Sequence, residues 1–121
     1  MLELTLQAIN GQRYLEGAAH QPCLETVDDT VSLIECCMEH RVHRLLLYAD
    51  NLPTRFFDLS SGEAGAILQK LQNYHIKLAV VLDPDTRPLS HYFRALMAEE
   101  NGGDMFFVGT DPGMGLGWLI R

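Results

Sequence analysis
The sequence predicts an α/β domain on a single mixed, mostly parallel sheet with an N-terminal β-hairpin. The expected order is β-β-α-β-α-β-α-β, with a short helix after Thr110 as an optional last element. Three observations carry this. Short continuous apolar runs recur at Arg44-Leu45-Leu46-Leu47-Tyr48-Ala49, from Ile76 to Leu82, and at Met105-Phe106-Phe107-Val108, as expected of buried strands. Amphipathic stretches separate them. Asn10-Gly11 joins two alternating segments, the signal of a tight hairpin. Strands alternating with helices join through right-handed crossovers and so lie parallel.

Taken in order, Leu2, Leu4, Leu6 and Ala8 alternate with Glu3, Thr5 and Gln7, which predicts one buried face and one wet face. Arg13-Tyr14-Leu15-Glu16 returns antiparallel, and Pro22 breaks the chain. Val27, Val31, Ile34 and Met38 then share one face of a helix over Thr26–His40, with Thr26 and Asp29 placed as a capping box. After the run at residues 44–49 comes the turn cluster Asp50-Asn51-Leu52-Pro53. A second helix follows from Ala64, Ile67, Leu68, Leu71 and Tyr74, with Ser60 and Glu63 matching a capping box at its start. The run from Ile76 ends at Asp83-Pro84. Leu89, Phe93, Leu96 and Met97 stripe a third helix that Gly102-Gly103 terminates. Beyond the last strand, Gly113-Met114-Gly115-Leu116-Gly117 reads as a flexible tail, and Trp118-Leu119-Ile120 must dock on the chain's own sheet or on a neighbour.

With 121 residues, 47% of them apolar, the chain suits one domain over residues 1–121 with one core. Nine Lys and Arg stand against 16 Asp and Glu, a net charge of −7, which argues against nucleic acid as a partner. No apolar run suffices to cross a bilayer, and Met1-Leu2-Glu3 does not open a signal peptide. Three cysteines, two of them adjacent at Cys36 and Cys37, suit a reducing compartment; a cytoplasmic protein without membrane association is expected.

The stretch from Phe56-Phe57-Asp58-Leu59-Ser60-Ser61-Gly62-Glu63 to Leu71, continuing through Asn73-Tyr74 and Lys77-Leu78-Ala79-Val80-Val81, resembles an uncharacterised bacterial domain-of-unknown-function family numbered four-one-eight-zero. The resemblance runs from about Ala8 to Leu119. Such domains look similar to STAS domains, best known as anti-sigma factor antagonists, in which an Asp-Ser-Ser-Gly turn opens a helix and the serine before the glycine is phosphorylated to control partner binding. That resemblance implies the role for Ser61, with Ser60, Gly62 and Asp58 completing the turn. The residue directly before the serines is Leu59, and the acidic Asp58 stands one position earlier.

Independently of the resemblance, a helix N-terminus suits a phosphoryl group at Ser61, and the same geometry makes serine a common helix cap. Asp50 and Asp83 stand at the carboxyl ends of two predicted parallel strands and Asp111 follows the last one, the edge where open α/β sheets hold ligands. Together they would suit a divalent cation; separately each is an ordinary turn former. Arg87, after Asp83, would pair with it or meet an anion at the serine turn. Cys36 and His40, four apart on a helix, and His43 suggest a zinc site or a Cys–His pair, but the expected placing of Cys36 and His40 is the solvent face, with Cys37 nearer the core boundary. The loop from Asp50 to Ser61 carries Leu52, Pro53, Phe56 and Phe57 and should fold back over the sheet.

No complete set of nucleophile, base and orienting group stands out, and no metal or cofactor is implied. The expectation is a non-catalytic, STAS-like regulatory or protein-interaction domain whose partner is another protein or a second copy. The alternative is a small-molecule-binding or metal-assisted enzyme using Asp50, Asp83 and Asp111.

Overall fold
Asn10 and Gly11 both take positive φ, 51° and 78°, the left-handed pair that a two-residue hairpin turn needs. They fold β1 (Leu4–Ile9) antiparallel onto β2 (Gln12–Gly17). The structure, a computed structural model, describes residues 4–58, 61–83 and 90–121. Then come α1 (Thr30–His40), β3 (Arg44–Tyr48), α2 (Glu63–Asn73), β4 (Lys77–Val81), α3 (His91–Glu100), β5 (Phe106–Gly109) and α4 (Pro112–Leu119). Short 3-10 turns stand at Val27–Asp29, Ala49–Asn51 and Thr54–Phe57. The sheet runs β1-β2-β3-β4-β5, and every pair after the hairpin is parallel, as expected from the sequence.

Because each crossover steps one strand along in the same direction, right-handedness stacks α1, α2 and α3 on one face. Leu45 and Leu47 of β3, Leu78 and Val80 of β4, and Phe106 and Val108 of β5 point there, packed with Leu33, Ile67, Leu71 and Phe93. The loop expected to fold back does so: Leu52, Pro53, Phe56 and Phe57 are buried, and Phe56 meets Phe57, Phe93 and Phe106 edge-on at ring separations of 5.1 to 6.1 Å. On the opposite face Leu46 and Ala79 lie under α4 with Tyr14, Trp118 and Leu119.

Three expectations are corrected. In α1 the buried residues are Thr30, Leu33, Ile34 and Cys37, whereas Val31 and Met38 are 48% and 60% exposed. The segment carries two apolar stripes that share Ile34. Leu33 and Cys37 face the sheet once Val27 is spent in a 3-10 turn, whose Thr26 N–H donates to Asp29 at 3.0 Å. Cys37 is thus a core residue, and Cys36 and His40 are half-buried rather than solvent-facing.

The apolar face of β1 is the second: Leu4 is half-buried against the core, but Leu6 is 41% exposed and Ala8 is exposed. The third is the glycine run, which is helical rather than a tail. Asp111 accepts the Met114 N–H at 3.0 Å and Pro112 occupies the first turn, a favourable helix start. A Cβ on Gly115 would stand 2.9 Å from Leu46 Cδ1, so glycine permits the close seat on the sheet. Trp118 and Leu119 dock on the chain's own sheet.

Candidate functional site
Four parallel strands bring their carboxyl ends to one edge of the sheet, together with the loops that leave them. Tyr48 ends β3 and Ala49 and Asp50 follow it, Val81 ends β4 and Asp83 lies just beyond, Thr110 follows β5, and His20 stands in the loop after β2. They line a cleft of about 410 Å³. Beside it lies a hollow of about 310 Å³ between Pro22, Leu24, Glu25, Leu52 and Thr54, and Asp50 borders both.

Asn51 builds this edge. Fully buried, it accepts the Tyr48 N–H through Oδ1 at 2.7 Å and donates through Nδ2 to the carbonyls of Ala18 and Gln21, each at 2.7 Å. Its own carbonyl accepts from the N–H groups of Cys23 and Leu24 at 3.1 and 2.8 Å. One amide thereby ties the β2–α1 loop to the end of β3 and sets His20, itself at a positive φ of 64°, beside Asp50. His20 Nδ1 lies 3.3 Å from Asp50 Oδ2, with His20 almost wholly exposed. Nothing in the sequence marks Asn51 as more than a turn former, because its loop partners lie 30 and 33 residues away.

Asp50 and Asp83 stand just beyond the carboxyl ends of β3 and β4, and both border the cleft. Asp111 is used otherwise, as the cap of α4. Among the described residues no three His, Cys, Asp or Glu side chains gather as metal ligands. Cys36, His40 and His43 lie at the opposite end of the sheet, ahead of β3. His40 Nδ1 is 2.9 Å from the Cys36 carbonyl and 3.8 Å from Cys36 Sγ. Burial pushes the Cys36 thiol up, and pushes Cys37 up to about 12 with a smaller contribution from Cys36. An attacking thiolate needs the reverse shift.

At the serine turn, Ser61 Oγ lies 2.7 Å from both the Arg55 and Asp58 carbonyl oxygens and accepts the Glu63 N–H at 3.2 Å. Gly62, at a φ of 77°, makes the left-handed entry to α2. Gly62 is thus the N-cap residue of α2, Ser61 Oγ meets the first helical N–H from one position further out, and Glu63 turns its carboxylate to Arg55 Nε at 3.4 Å. Asp58 is exposed on the same turn. Ser60, which the sequence pairs with Glu63, lies outside the described residues, as does Arg87.

Tyr48 donates its hydroxyl to Glu16 Oε2 at 2.7 Å on the wall of the cleft. Burial, then that hydrogen bond and the Glu16 charge, push the phenol up to about 12 from 10.0. A group whose pKa is higher folded than unfolded contributes stability that is present below the unfolded value and lost as pH rises through the folded one. Stability should therefore fall as pH climbs from 10.0 to about 12. Lys77, whose pKa burial lowers, works in the opposite sense at alkaline pH. The measurement is thus a comparison of denaturant melts of wild type and Tyr48→Phe across this window. The variant should show the shallower alkaline decline, and equal declines would contradict the assignment.

No curated protein matches the chain, and no solved structure does. Among the described residues no helix is long and apolar enough to cross a membrane. The model of a domain of unknown function, DUF4180, matches residues 9–119, from the last residue of β1 to the last turn of α4. The match thus takes in both the strand-end cleft and the serine turn, and the chain belongs to the DUF4180 family.

Proposed function
We propose that this is a non-catalytic interaction domain whose working surface is the carboxyl edge of the sheet. The observation that supports it best is the pair of adjoining hollows that meet at Asp50, with Glu25, Asp50 and Asp83 along them. The polar groups there are engaged in holding structure: Tyr48 on Glu16, Asp50 beside His20, Asp111 on α4. An acidic groove on a chain of net charge −7 suits a protein that presents a basic surface, and such a complex weakens as salt screens it.

In this reading Ser61 is the regulatory handle. A phosphoryl group on its Oγ removes the donor hydrogen and sets negative charge against two carbonyl oxygens now 2.7 Å away, so the turn must open. Ser61→Ala should cost about 1 kcal/mol in a denaturant melt and leave the partner bound, whereas Ser61→Asp should weaken the complex.

The test is affinity capture from the native host's lysate, with wild type, Asp50→Arg/Asp83→Arg and Ser61→Asp as baits. A stoichiometric protein held by wild type, released by moderate salt and lost from both variants is the expected result. Capture that ignores the charge reversal would overturn the proposal. So would a small molecule that co-purifies with wild type alone while no protein is captured, which would favour the ligand-binding alternative.

A further inference from the structure
The two edges of the sheet are finished differently. At β5, the polar groups of Val108 face away from β4, and the Asn101 side chain covers them. Its Oδ1 accepts the Val108 N–H at 2.9 Å and its Nδ2 donates to the Val108 carbonyl at 3.0 Å. An incoming strand would find that position occupied. β1, at the other edge, has no such cover among the described residues, and Thr5 to Ala8 are exposed. Its sequence, LTLQAI, also carries none of the usual protections of an edge strand: no lysine, no proline, and no bulge in six consecutive pairs with β2.

The pairing parity decides which groups of β1 are free. The two-residue turn makes Ile9 and Gln12 a hydrogen-bonded pair, so Gln7 with Tyr14 and Thr5 with Glu16 are the next. The N–H and C=O groups of Leu4, Leu6 and Ala8 therefore point outward. Those same residues carry the apolar face of the strand, the side on which Leu15 enters the core.

We propose that β1 pairs with β1 of a second copy of this chain, antiparallel about a two-fold axis at Leu6, to form one continuous sheet of two domains. In that register Leu6 faces Leu6 of the other copy and Leu4 faces Ala8, every outward group of Leu4, Leu6 and Ala8 finds a partner, and Thr5 meets Gln7 on the polar side. The self-complementary register is one argument for a second copy. Charge is another. Residues 4–9 carry no charge in a chain of net −7, so two copies meet here without opposed carboxylates, while a charged partner finds nothing to hold. A single strand edge buries less than the roughly 800 Å² per partner of a standard interface, so the dimer forms in a concentration-dependent way. It is independent of the groove, which leaves both binding edges open.

Sedimentation of the full chain from low to high micromolar concentration should show a monomer–dimer equilibrium. Leu6→Lys, which sets two like charges across the axis at an exposed site, should weaken it by about tenfold or more with an unchanged circular dichroism spectrum. Under mild oxidation Leu6→Cys should give a reducible covalent dimer, since a hydrogen-bonded antiparallel pair sets Cα atoms about 5.5 Å apart, within disulfide range. Gln7→Cys, which faces Thr5, and wild type with its own three cysteines should not. A wild type that stays monomeric throughout would overturn the proposal. Dimerisation that Leu6→Lys leaves untouched would overturn it too, and would point to the exposed Val31, Met38 and Tyr74 of the helical face instead.

Discussion
Asn51→Ala is expected to destabilise the domain by about 3 kcal/mol or more, because it strands three backbone groups at once. The Tyr48 N–H loses its acceptor, and the Ala18 and Gln21 carbonyls lose their donor, at a side chain with no exposed surface. Each orphaned group costs about 1–3 kcal/mol when water cannot reach it. The total is a large part of the 5–15 kcal/mol that holds a domain of this size. Asn51→Asp separates hydrogen bonding from shape. It keeps the volume and the acceptor for Tyr48 but turns a carboxylate toward two carbonyl oxygens, so it should be at least as damaging as alanine. Chemical denaturation of both variants is the measurement. A loss below about 1 kcal/mol for both would mean that the loop is held by other contacts. Because the same amide sets His20 beside Asp50, a variant that still folds should also lose whatever the groove captures.

That Asn51 escaped notice in the sequence, while the aspartates flanking the cleft did not, has a physical cause. Asp50 and Asp83 announce themselves locally: each ends an apolar strand run, and parallel strands must deliver their carboxyl ends to one edge. The work of Asn51 is non-local. The same distinction separates the two helical outcomes. The α2 stripe of Ala64, Ile67, Leu68 and Leu71 is a single stripe and is buried as expected, with only the terminal Tyr74 left outside. The α1 segment offers two stripes, and the choice between them depends on the phase at which a 3-10 turn hands over to the helix.

Exposure of the β1 face follows from topology: α1 leaves β2 and crosses toward β3, so the layer of helices lies over the inner strands. At the serine turn the start of a helix was legible, and Ser61 Oγ accepts the N–H of its first residue, Glu63, while Ser60 lies outside the described residues. The C-terminal segment misled through its glycines. Asp111-Pro112 is a good helix start, and what overrides the low helix propensity of glycine is tertiary, a seat on Leu46 that a larger residue at Gly115 would block.

That seat sets the second large effect. Trp118→Ala should cost about 3–5 kcal/mol, the range for truncating a buried aromatic side chain. Trp118 is 4% exposed, stacks on Phe107 with ring centroids 5.6 Å apart, lies 4.5 Å under Lys77 Nζ, and donates its indole N–H to the Gly103 carbonyl at 3.1 Å. These contacts hold the last turn of a helix with three glycines in eight residues, which has little intrinsic stability to fall back on. The loss should thus exceed a simple cavity: α4 should fray, and Lys77 and Gln12, which donate to the carbonyls of Leu119 and Ile120, should lose their acceptors. Amide exchange distinguishes the two scales of damage. Protection in α4 should collapse to that of a mobile segment while the N–H groups of β3 and β4 stay protected, since three helices still cover their other face. Uniform loss across the sheet would mean that the single helix on this face stabilises the whole domain. Unchanged protection in α4 would mean that Gly115 against Leu46, rather than the indole, anchors it.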